Sequence, residues 1–108
     1  MGMLLAAIDL GSNSFRLEIA RAVGSHLERS GYWKETVRLA AGIGSDGRLS
    51  RAAIDAACIC LARMNERLRG IDAAQVRAVG TQTLRQAVNA EEFLARAQRV
   101  LGHPIEII

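Results

Sequence analysis

The stretch AAIDLGSNSFRLEIA, residues 6–20, runs apolar, stops at an acid and a small polar knot, and then turns apolar again. Upstream, Met3 to Leu10 is a nearly continuous apolar run, the pattern of a strand covered on both faces. Downstream, Phe15, Leu17 and Ile19 alternate with Arg16, Glu18 and Ala20, the period of a half-covered strand. Between them stand Asp9, Gly11, Ser12, Asn13 and Ser14. A tight hairpin needs about two permissive residues. This knot has more than a turn requires, so its reading decides both the topology and the search for a site.

Working outward, Gly24-Ser25 marks a second turn, and His26 to Leu39 reads as a longer, more polar strand containing Trp33, Thr36 and Val37. Three strands joined by short turns predict an antiparallel meander. The segment AAGIGSDGRLS, residues 40–50, has the glycines and the Asp of a loop and ends on Ser50, a good helix N-cap. Ile54, Cys58, Leu61, Met64 and Leu68 then fall on one face of a helix from about Arg51 to Arg69, with Gly70 at its C-terminal stop. QVRAVG, residues 75–80, is a fourth strand, and a helical crossover before it predicts parallel pairing with an earlier strand. A second helix is expected to start at Asn89 as N-cap, with Glu92 as its capping-box partner and Phe93, Leu94, Ala97, Val100 and Leu101 as its buried stripe. Gly102 and Pro104 stop that helix, and PIEII starts a fifth strand. The expected fold class is α/β: a five-stranded mixed sheet in the order β-β-β-α-β-α-β with helices packed on it.

The 108 residues suffice for one small domain, and with half of them hydrophobic a packed core is expected. The net charge of +3 comes from scattered arginines, and with four aromatic residues and no basic run a nucleic-acid surface has weak support. Cys58 and Cys60, at i and i+2 on a helix, point to different faces and do not form a metal pair; they read as small core residues of a reducing compartment. The apolar run near the N-terminus is too short for a signal or membrane segment, so a cytoplasmic protein without membrane contact is expected. The chain ends on Ile107-Ile108 and reads as the N-terminal part of a larger protein. An unfinished sheet edge with apolar ends also leaves a homodimer open.

The chemistry of the knot suits an anion. Gly11 lets backbone approach a ligand, and Ser12, Asn13 and Ser14 add hydroxyl and amide donors to turn N–H groups that can form an anion-binding concavity. Asp9 at the strand end is costly unless paired, hydrated or near a cation; an acid beside a phosphate cradle is where Mg²⁺ bridges protein and phosphate. If the first and fourth strands are parallel neighbours, GTQTLRQAVN emerges at the same edge. Thr81 and Thr83 then offer hydroxyls or helix caps, and Arg85 offers a guanidinium fork for phosphate. The residues alone leave a plain hairpin open, with Asp9 bonding its own turn and Arg85 a solvated helix arginine. For Asn89 the cap role ranks above ligand contact.

Four segments, AAIDLGSNSFRLEIA, VRLAAGIGSDGRLS, AVGTQTLRQAVNAEEFLARAQRVLG and PIEII, resemble in order and spacing the opening of the exopolyphosphatase / guanosine pentaphosphate phosphatase family. DLGSNSFRL alone is shared in outline with actin-like ATPases and sugar kinases; joined to GTQTLRQAVN it is much more specific. The resemblance implies a ribonuclease-H-like domain of the actin and sugar-kinase superfamily, the first lobe of a two-lobed phosphatase. It implies polyphosphate or guanosine pentaphosphate as substrate, with orthophosphate released using Mg²⁺. By motif, Gly11, Ser12, Asn13 and Ser14 would form the first phosphate loop, Asp9 would face the metal and its waters, and Thr81 and Arg85 would lie at the cleft rim. The family's catalytic glutamate follows the strand corresponding to PIEII, and a second glycine-rich phosphate loop comes later. Glu106 lies inside the strand and is not that glutamate, so no catalytic residue is expected in this chain and it is expected to be inactive alone.

Two other readings compete. An ATP-binding actin-like or sugar-kinase lobe would commonly carry Thr, Lys or Gln in the first loop, where GSNSF has none. A non-catalytic interaction module would make the knot a plain turn.

Overall fold

The computed structural model describes residues 2–108. Strands β1 (Met3–Leu10), β2 (Ser14–Val23) and β3 (His26–Thr36) form the meander. Next along the chain come helix α1 (Arg51–Arg67), strand β4 (Val76–Gly80), a short helix α2 (Thr83–Gln86), helix α3 (Ala90–Leu101) and strand β5 (Ile105–Ile107). The sheet order is β3-β2-β1-β4-β5, with β2 antiparallel to both neighbours and β1, β4 and β5 parallel.

The polar knot sets this register. Leu10 and Phe15 face each other across its base and are fully buried, so β1 and β2 enter the core as a matched pair. Both helical crossovers step in the same direction along the sheet, and the right-handed rule places both helices on one face. Helices α1 and α3 are accordingly in contact. The core lies between them and the sheet: Ala6, Ile8, Leu10, Phe15, Leu17 and Ile19 from the strands meet Leu61 and Met64 of α1 and Phe93 and Ala97 of α3. Ser50 caps α1, its Oγ accepting from the Ala53 amide at 3.1 Å. Gly102 ends α3 in the left-handed region, at φ 82°.

Several expectations are corrected. Strand β1 is covered on one face within this chain, not two: Met3 is 55% exposed and Ala7 is exposed, because both crossovers load the same side. The third strand stops at Thr36 and not Leu39, since Val37 and Arg38 turn away to bond the polar knot. Helix α1 ends at Arg67, two residues short of Arg69, with Leu68 as its cap and Gly70 two residues beyond that cap. Asn89 makes no side-chain cap on α3. Its amide oxygen accepts from Leu49 N at 2.8 Å and its amide nitrogen donates to Leu49 O at 3.1 Å. Two long-range bonds holding a loop replace the local bond that the capping box assigns to the Asn89 side chain, and the Glu92 carboxylate sits 4.0 Å from Arg48. Among the described residues no helix is long and apolar enough to cross a membrane.

Candidate functional site

Strands β1 and β4 end together, with Leu10 beside Gly80. The chain therefore leaves the sheet at one edge from both strands: Gly11 to Asn13 after β1, Thr81 after β4. The Thr81 amide donates to the Leu10 carbonyl at 3.2 Å and ties the two exits together.

The loop is closed by the Gly11 amide donating to the Ser14 carbonyl at 3.0 Å. A Cβ on Gly11 would lie 2.9 Å from that same oxygen, closer than side chains tolerate, so glycine permits the tight closure. Ser12 O accepts from the Ala40 amide at 2.9 Å, and Asn13 O accepts from Val37 and Arg38 at 2.9 and 2.8 Å. The segment after β3 thus occupies the loop's carbonyls. The amides of Ser12 and Asn13 have no acceptor among the described residues. A turn whose carbonyls are taken and whose amides are free has the polarity of an anion cradle. Arg38 supplies one of those donors at a cost: its φ of 56° makes it the single non-glycine residue with positive φ among the described residues. That conformation costs roughly 1–2 kcal/mol for an L-residue. Nothing in the sequence marks Arg38 for this role.

The structure brings Asp9, Gly11, Ser12, Asn13, Ser14 and Thr81 to this edge. Asp9 is half-buried on the helix-free face of the sheet, in register with Arg16 and Val79. The Thr81 hydroxyl is buried and has no hydrogen-bond partner among the described residues, a condition that costs about 1–3 kcal/mol. Arg85 stands one helical turn beyond and is exposed; its Nη2 donates to Ile107 O at 3.3 Å, which holds it toward β5. Arg85 is carried by the short helix α2, which precedes the helix expected to start at Asn89; its N-cap position is Gln82, and neither Thr81 nor Thr83 caps it.

For a metal, no group of three or more His, Cys, Asp or Glu side chains converges among the described residues. Asp9 alone provides one carboxylate. That donor set fits Mg²⁺, which is commonly held by one or two carboxylates, water and substrate phosphates; it does not fit a protein-only cage.

The two cysteines take no part. Both are free and buried in the core. Burial pushes the Cys60 thiol up to about 12, with the Glu35 carboxylate adding to the shift, and burial likewise raises Cys58. Reaction with a disulfide reagent at pH 8 should be slow in the folded chain and fast in urea, because the thiolate is the reactive form. The native state keeps these protons above the ordinary value of 9.0, so stability should fall as pH rises from about 9 toward about 12. Rapid labelling of the native chain would contradict this burial.

The sheet order, with β2 alone running against the other four strands and the loop at the carboxyl edge of β1 and β4, defines a ribonuclease-H-like lobe. The family model described as "Ppx/GppA phosphatase family" matches residues 18–108. The chain belongs to the Ppx/GppA phosphatase family. It is 51% identical over 105 residues to a guanosine-5'-triphosphate,3'-diphosphate pyrophosphatase of Aeromonas hydrophila, covering 97% of this chain and 21% of that protein. The crystal structure of the Aquifex aeolicus Ppx/GppA family member superposes with a TM-score of 0.91 at 32% identity, over 98% of this chain and 35% of the other. An exopolyphosphatase from Cytophaga hutchinsonii gives 0.89 at 25% identity, over 98% and 34%. The chain thus spans about a fifth of the length of the curated relatives it matches.

Proposed function

We propose that this chain is the phosphate-binding part of the first lobe of a two-lobed phosphohydrolase, releasing orthophosphate from polyphosphate or guanosine pentaphosphate with Mg²⁺. The observation that carries the reading is the edge itself: two loop amides and a buried hydroxyl, unpartnered among the described residues, at the ends of adjacent parallel strands. The Ser12 and Asn13 amides bind and orient a terminal phosphate, and the Thr81 hydroxyl donates to one of its oxygens. Asp9 would hold Mg²⁺, which would supply charge neutralisation when bound. In-line attack by water also needs a base and a second cradle, which this reading assigns to parts of the relatives beyond this length.

Orthophosphate release tests it. A protein spanning the full length of the relatives should hydrolyse polyphosphate or guanosine pentaphosphate in a Mg²⁺-dependent way, and the 108-residue chain alone should not. Equal rates from both would overturn the division of the site.

Thr81→Val gives a second signature. Removing a hydroxyl that has no partner should leave stability unchanged or raise it by about 1 kcal/mol, while phosphate binding weakens. Thermal unfolding and calorimetric titration with tripolyphosphate read the two effects. A destabilised variant with unchanged binding would make Thr81 a structural residue. The same titration with ATP addresses the nucleotide-binding alternative, which a preference for ATP over tripolyphosphate would favour.

A further inference from the structure

We propose that the groove between α1 and α3 is a second anion site, built for a short oligophosphate chain and separate from the loop. The groove has a volume of about 300 Å³ and is lined by Arg48, Arg51, Arg96 and Arg99, by the carboxylate residue Glu92, and by apolar Leu49 and Ile54. None of its lining residues belongs to the loop or to the Thr81–Arg85 segment.

Its charges do not balance. Asp55 is occupied by Arg96 at 2.7 Å, and Glu92 lies 4.0 Å from Arg48. Arg51 and Arg99 have no carboxylate partner among the described residues. The two helices also treat their positive ends differently. Helix α3 has Glu91 and Glu92 in its first turn, as the helix dipole favours. Helix α1 has no acid in its first turn and opens on Arg51, with Arg48 just before it. Ser50 satisfies the amides of Ala53 and Ile54, and those of Arg51 and Ala52 have no acceptor among the described residues. Concentrating unpaired guanidinium groups at the positive end of a helix opposes folding, and such a departure from local rules is expected where a ligand compensates for it.

The donor set selects phosphate oxygens. Guanidinium forks give paired donors that match a phosphate, and open helix amides add short, directed N–H bonds. An oligophosphate, whether inorganic or the tail of a nucleotide, presents oxygens on every unit to both helices at once. The inference stands apart from the loop reading, since it uses different residues.

The test is an NMR titration of the 108-residue chain with inorganic tripolyphosphate, at about 0.15 M salt, where loose surface attraction is screened. The Arg51 and Ala52 amides and the Arg99 Nε–H should shift and saturate. In the double variant Arg51→Gln/Arg99→Gln, groove affinity should fall about tenfold or more, with the Ser12 and Asn13 responses unchanged. Guanosine triphosphate and guanosine serve as comparison arms: response to the first and not the second assigns recognition to the phosphates. Absence of saturable groove shifts, or shifts that survive the double variant, would overturn the proposal. Saturation by a polyglutamate peptide and not by tripolyphosphate would also overturn it, assigning the groove to an acidic protein partner. Loss of loop shifts alone would count against the loop reading and leave this one intact.

Discussion

Phe15→Ala is expected to cost about 3–5 kcal/mol of unfolding free energy, a large part of the roughly 5–15 kcal/mol available to a typical domain. Phe15 is fully buried and is the first core residue after the polar loop, opposite Leu10, which is also fully buried. The ring fills the layer between β2 and the helices, and the strands at that point are pinned on both sides by sheet pairing. Collapse into the vacated space is therefore restricted, which puts the loss toward the upper end. Urea denaturation followed by circular dichroism measures it. The adjacent Arg16, exposed on the opposite face, is the control: Arg16→Ala should change stability by about 0.5 kcal/mol or less. A loss under about 1 kcal/mol for Phe15→Ala, well below the usual range for such a truncation, would mean that the base of the loop is not anchored as described.

Gly11→Ala should have the largest functional effect for the smallest chemical change. The added methyl carbon would stand 2.9 Å from the Ser14 carbonyl oxygen, the acceptor that closes the loop. The neighbouring atom is backbone within a paired strand and has little freedom to yield. The loop must open, and the Ser12 and Asn13 amides turn with it. In a protein spanning the length of the relatives, orthophosphate release should fall about 10²- to 10³-fold, the usual consequence of misplacing a preorganised donor. The stability loss should be only about 1–3 kcal/mol, so the variant remains folded and the two measurements separate. Full activity in a folded Gly11→Ala protein would remove the loop from the mechanism.

Some of this architecture is legible in the sequence, and the rest is hidden for physical reasons. The period-two alternation of Phe15, Leu17 and Ile19 and the helical spacing of Ile54, Cys58, Leu61, Met64 and Leu68 are local patterns, and both appear as read. The family resemblance agrees with the match over residues 18–108. The reading of β1 as doubly covered fails because an apolar run records what each side chain tolerates and does not record which face the crossovers load. Asn89 is misread because a cap is visible within four residues, whereas its partner Leu49 is 40 residues away. The contribution of Arg38 depends on a backbone angle that no residue type announces. The Thr81 hydroxyl is conspicuous only because no described residue partners it, which depends on the packing of distant segments. The loop is recognisable by an excess of small polar residues over what a turn needs; the turning of its carbonyls toward Val37, Arg38 and Ala40 is not.

The central claim is that the amides of Ser12 and Asn13, together with Thr81, form the phosphate cradle at the shared edge of β1 and β4. Amide-resolved NMR of the 108-residue chain, titrated with pyrophosphate in the presence of Mg²⁺, addresses it most directly. The account predicts saturable shifts at Ser12, Asn13 and Thr81, lost in Gly11→Ala. A titration that leaves those three amides unmoved would contradict it.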